Sequence, residues 1–99
     1  MAAVAVQCEG DRSDGWTCTV TLREAGINIS THRVRVWDSD MKRLAPVAED
    51  PKTLVKQSFH FLLERESPQM IQRFFDLQDI ERYFPEYETE IRRRVRGLV

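Results

Sequence analysis

The stretch Ser67–Tyr87, SPQMIQRFFDLQDIERYFPEY, constrains this chain most, because it concentrates two of its four prolines, three of its five phenylalanines and both tyrosines. Ser67 before Pro68 reads as an N-cap and first helical position: a serine oxygen accepts an orphan N–H, and proline has none to lose there. Met70, Ile71, Phe74 and Phe75 follow at helical spacing. Asp76 suits both the end of that helix and the cap of the next, which carries Leu77, Ile80, Tyr83 and Phe84 as a second apolar stripe. Pro85 opposes helical geometry at Phe84 and breaks the run. Helices of two turns persist only when packed, so the pattern predicts short clustered helices whose aromatics are core residues first.

Two short helices at a tight junction also raise a helix-turn-helix unit. With Leu77 as the apolar residue after the turn, Asp76 stands where such units carry glycine, and Gln72 where a small residue lets the helices approach. The reading face would be Gln78, Asp79, Glu81 and Arg82, and its two carboxylates repel phosphate. The stretch therefore reads as structural.

Ahead of it the period changes from helical to alternating. Val4, Val6 and Cys8, then Trp16, Cys18, Val20 and Leu22, all occupy even positions. Antiparallel pairing through the turn-rich segment Glu9–Gly15 places both sets on one face. Thr17, Thr19 and Thr21 mark the opposite, solvated face. A glycine-containing turn around Ala25–Asn28 leads to a third strand near Ser30–Trp37, with Val34 and Val36 inward and Arg33, Arg35 and Trp37 outward. Ile27 and Ile29 break the parity, which predicts a bulge or a later strand start.

Residues 38–49 read as a linker with one helical turn. Asp50–Pro51 then repeats the cap-plus-proline start of a long helix over 51–66, striped by Leu54, Val55, Phe59, Leu62 and Leu63. That helix is expected to lie across the even face of the sheet. A last helix over 86–96 carries Tyr87, Ile91 and Val95, with Glu88–Arg92 and Glu90–Arg94 as favourable i,i+4 pairs. The expectation is one α+β domain over residues 1–99: a three-stranded antiparallel sheet (about 2–37), a linker (38–49), and helices (about 50–96) comprising a long one and two or three short ones.

Composition narrows the function. The 41% hydrophobic content supports a folded core. Fifteen basic residues meet 16 acidic ones, so no global field recruits nucleic acid or an anionic membrane. MAAVAVQCEG has no basic region and too short an apolar run for a signal peptide, and no stretch reaches membrane-spanning length. These features predict a cytoplasmic chain without membrane contact.

Candidate chemistry is sparse. Cys8 and Cys18 fall opposite each other in the expected register, but a cytoplasmic setting favours two buried thiols over a disulfide. No Cys/His cluster has zinc spacing, and Asp38-x-Asp40 lacks the glycine and glutamate of a calcium loop. His32 sits near a strand start and His60 on the polar side of the long helix, neither with a nucleophile in a recognisable motif. The expectation is therefore no catalytic residue, metal or cofactor. Arg92, Arg93, Arg94 and Arg96 are candidate phosphate contacts, extended by Arg33 and Arg35 beside Trp37, although the preceding glutamates can neutralise them. Trp37, Tyr83 and Tyr87 are candidate anchors for a protein interface.

The segment DPKTLVKQSFHFLLERESPQMIQRFFDLQDIERYFPEYETEI, with the THRVRV strand, resembles a family of short uncharacterised bacterial proteins. In those proteins N-terminal strands precede a long helix and a motif close to FDLxxIxRYFPEY. The resemblance implies this layout and a bacterial source; it implies no activity. The sequence thus leads to a small interaction or accessory module that binds a protein or a second copy of itself. Its alternative is a nucleic-acid-binding regulator using the arginine cluster.

Overall fold

A computed structural model describes residues 2–10, 14–48 and 50–98. Strands β1 (Ala3–Gly10), β2 (Gly15–Glu24) and β3 (Ile27–Trp37) form an antiparallel meander, with Val4↔Leu22, Val6↔Val20 and Cys8↔Cys18 in one register and Val20↔His32 and Cys18↔Val34 in the next. The even positions turn inward as alternation requires: Val4, Cys18, Val20, Leu22, Val34 and Val36 are all buried. The turn expected between Glu9 and Gly15 includes residues 11–13, which lie outside the described residues.

The parity break around Ile29 is a bulge. Leu22 pairs with Ser30 but Arg23 pairs with Asn28, so Ile29 is the extra residue on β3. The adjoining hairpin turn is two residues long, Ala25 and Gly26, both at positive φ (51° and 78°). That conformation matches the twist of the flanking strands, and glycine adopts it freely where alanine is strained. Gly15 is fixed for another reason: a Cβ there would lie 2.0 Å from the Val36 carbonyl oxygen.

Four sequence expectations need correction. The sheet has four strands rather than three, in the order β1-β2-β3-β4, because β4 (Phe74–Asp76) pairs parallel to β3. The helix expected after Ser67 is only a 3-10 turn, Pro68–Met70, before the chain extends. Pairing with the open edge of β3 outweighs the local period: the Arg33 N–H donates to the Arg73 carbonyl at 2.8 Å, and His32 Nδ1 reaches the Gln72 carbonyl at 2.7 Å. With β4 in place, no helix pair of the helix-turn-helix kind forms there. Within the linker, Asp38–Leu44 is a full helix, α1, whose buried Asp40 accepts the Trp37 N–H at 2.8 Å. Finally, Cys8 and Cys18 are joined in a disulfide rather than standing as free thiols. Their Cα atoms are 4.0 Å apart, the spacing of a directly opposed, non-hydrogen-bonded pair.

Helix α2 (Pro51–Leu63) starts as expected, with Asp50 accepting the Lys52 N–H at 2.8 Å, and ends with its apolar stripe at Leu63, three residues short of the expected 51–66. Its Leu54, Val55, Phe59, Phe61 and Leu62 are buried against the sheet and the helices beside it. Each such side chain contributes about 1.5–3 kcal/mol through burial. A 3-10 turn (Leu77–Asp79) continues into the single-turn α3 (Ile80–Tyr83), and α4 (Tyr87–Arg96) closes the domain beside α2. The result is two layers, with the helices on one face of the sheet and, among the described residues, no element over the other.

Candidate interaction surface

The helical end of the fold leaves an apolar cleft at the rim. Leu62 at the end of α2, Met70 and Ile71 of the 3-10 segment, Phe75 of β4, and Ile80, Tyr83 and Phe84 around α3 line it, with Glu66, Gln72 and Asp79 at its edge. Its volume is about 140 Å³, below the roughly 300–1,000 Å³ of small-molecule pockets. That size suits one anchoring side chain. The proline signals build this place: Pro68 opens the turn that presents Met70, and Pro85 ends α3 just beyond Tyr83 and Phe84. Met70 is 70% exposed and Tyr83 64% exposed, so two large side chains stand at the lip in water.

The three expected anchors separate in space. Tyr83 is at this lip. Tyr87 is 0% exposed, edge-on to Phe61 at 5.4 Å, with its hydroxyl 2.7 Å from Ser58 Oγ. Burial raises its phenol well above the ordinary range, with the Ser58 bond opposing. Tyr87 is thus a core residue and offers no surface to a partner. Trp37 lies on the open face of the sheet, with the Arg35 guanidinium 4.3 Å from its ring centre and its indole N–H 3.5 Å from Asp76. The residue that the anchor reading missed there is Phe74, 68% exposed and beside Arg33 across the β3–β4 pair. Its helical period hid the outward strand position.

The arginine cluster is largely committed to glutamates. Arg94 bonds Glu90 at 3.0 Å and Glu64 at 2.7 Å with only 19% of its side chain exposed; Arg93 bonds Glu90 at 2.5 Å, and Arg92 lies 3.9 Å from Glu88. Hydrogen bonds from these arginines hold Glu90 and Glu64 below the usual carboxylate range, Arg93 and Arg94 acting on Glu90 and Arg94 on Glu64. Arg96 extends beyond them at the exposed end of α4.

Two buried polar groups are structural. His32 is fully buried, with Nδ1 donating to the Gln72 carbonyl and Nε2 2.8 Å from the Ser30 hydroxyl, which therefore donates to it. Burial pulls its pKa below the ordinary 6.5, opposed by the Gln72 bond. The ring is a neutral staple between β3 and the chain entering β4. Asp40, raised by burial against the Trp37 bond, faces Arg43, which also bonds Glu81 of α3 and Glu88 of α4. His60, lowered by burial and by Lys56, sits half-buried on α2.

Among the described residues, no group of three or more His, Cys, Asp or Glu is placed to hold a metal ion, and no helix is long and apolar enough to cross a membrane. Comparison with protein-family models, curated proteins and solved structures finds no match.

Proposed function

We propose that this domain is a protein-interaction or accessory module that acts by binding, with the cleft beside Tyr83 as its docking point. The observation that carries this reading is the pairing of an apolar cleft sized for one side chain with Met70 and Tyr83 left exposed at its lip. Large apolar and aromatic anchors set in a local pocket dominate interface energetics. Glu66 at the edge favours a partner segment whose apolar anchor has a basic neighbour, whereas Asp79 is already bonded to Arg82 and to the Asp76 N–H. The bacterial source and cytoplasmic setting expected from the sequence belong to the same proposal, with the condition that a reducing cytoplasm would keep Cys8 and Cys18 as paired thiols rather than a disulfide.

A second reading, nucleic-acid binding, is favoured by Phe74 next to Arg33 and by the Arg35–Trp37 stack on the open sheet face. The glutamate pairing of Arg92, Arg93 and Arg94 weighs against it.

The test is capture from native cells with nuclease-treated bait, comparing wild type with the double variant Met70→Ala, Tyr83→Ala. The cleft reading predicts a stoichiometric protein partner held by wild type and reduced at least about tenfold in the variant, the effect of losing roughly 1.4 kcal/mol. Capture unchanged by the substitutions, or recovery of nucleic acid alone, would overturn it.

A further inference from the structure

Opposite the cleft, at the other edge of the sheet, β1 has β2 on one side and no strand on the other among the described residues. Natural edge strands are guarded against pairing by proline, lysine, bulges or short length. β1 has none of these: it runs eight residues, AVAVQCEG, in unbroken register with β2, and Glu9 is its only charge. Moreover, the 4.0 Å Cα separation of Cys8 and Cys18 fixes which backbone groups are free. In an antiparallel ladder a pair this close is non-hydrogen-bonded, so its N–H and C=O groups point away from the partner strand. Cys8 therefore directs both outward, and by the two-residue period so do Val6 and Val4. The side chains of Val6 and Cys8 are only partly buried, which leaves apolar surface at the same edge.

We infer that the β1 edge pairs with β1 of a second copy of this chain, antiparallel and centred on Val6, making one continuous eight-stranded sheet. Setting Val6 opposite its counterpart places Val4 opposite Cys8 and Cys8 opposite Val4. All three are then hydrogen-bonded pairs, so about six bonds satisfy the free N–H and C=O groups. On the open face Ala5 meets Gln7 and Ala3 meets Glu9. The lone charge of each strand thus faces a small neutral residue, and the two Glu9 carboxylates stand at opposite ends of the ladder, about 20 Å apart and beyond the Debye length at physiological salt. The strand is self-complementary in backbone, size and charge, as an isologous two-fold interface requires.

The experiment is sedimentation equilibrium across a protein concentration series, with residue-resolved amide exchange at the two ends of the series. Wild type is expected to shift to twice the 11.6 kDa of the chain, with the amides of Val4, Val6 and Cys8 gaining at least tenfold protection in the dimer while Ala5 and Gln7 are protected throughout. Ala5→Lys sets like charges diagonally across the two-fold axis, and Val6→Pro deletes an N–H that β2 does not use; each is expected to return the chain to monomer. Ala5→Lys lies on the solvated face, so it decides the matter even if Val6→Pro fails to fold. A wild type that stays monomeric to millimolar concentration overturns the inference. So does a dimer indifferent to Ala5→Lys, or protection at Val6 gained only with an added extended peptide.

Discussion

Ser58 has one proton and two buried neighbours that want it, the Leu54 carbonyl and the Tyr87 hydroxyl, each 2.7 Å away. The carbonyl can only accept, so Ser58 donates there and the tyrosine donates to Ser58. The two ends are therefore unequal. Tyr87→Phe removes a donor and leaves Ser58 bonded to Leu54, whereas Ser58→Ala strands a phenol hydroxyl in the core. Unfolding in urea is expected to show a loss of about 1 kcal/mol for Tyr87→Phe and about 2 kcal/mol for Ser58→Ala; the reverse order would refute the donor assignment. Tyr87's place on an apolar stripe with Ile91 and Val95 is visible in the sequence. Its exclusion from the surface is not, because Ser58, 29 residues away in sequence, supplies the partner that makes burial tolerable.

At the scale of elements, what was legible depended on whether the signal was local. Parity placed β1, β2 and the inward face of β3, since alternation is short-range. Asp50–Pro51 placed the start of α2 for the same reason. Parity left a bulge and a later strand start as alternatives; β3 begins at Ile27 rather than near Ser30, after a turn of two residues instead of one spread over Ala25–Asn28. β4 was hidden because Phe74 and Phe75 fit a helix stripe as well as a strand, and the deciding bonds come from Arg33 and His32 across the sheet. The sequence of α1 looks like a linker because its fastening is tertiary too: Arg43 bridges to Glu81 of α3 and Glu88 of α4 while facing the buried Asp40. Replacing Arg43 with Gln should cost about 1 kcal/mol, since these pairs are partly solvated. The cost should shrink on an Asp40→Asn background, where no buried carboxylate is left without its cation. Equal losses in both backgrounds, measured by denaturant midpoint, would show that Arg43 and Asp40 do not couple.

For the molecule as a whole, His32 sets an acid sensitivity. Its folded pKa lies below the ordinary 6.5, so the unfolded chain takes up a proton first as pH falls. Stability is then full above about 6.5 and declines below it. His60, also lowered, acts in the same direction. Glu64 and Glu90, held below the ordinary 4.5, add a loss only at more acid pH. Asp40, raised by burial, acts in the opposite sense, favouring the folded state as it takes up a proton. In an Asp40→Asn variant the urea midpoint should therefore be lower at pH 5.5 than at pH 7.5, and an unchanged midpoint there would contradict a buried neutral His32.

The cleft depends on the same long-range assembly, since α2, β4 and α3 meet only when β4 docks on β3. Residues 67–87 announced where the aromatics gather but not which of them face water. Hydrogen–deuterium exchange on the domain bound to its captured partner tests the docking role of the cleft. Protection confined to Glu66–Ile71 and Ile80–Phe84 is the predicted footprint. Protection over Arg92–Arg96 or Arg33–Trp37, with the cleft unchanged, would contradict it and move the binding surface to the arginines.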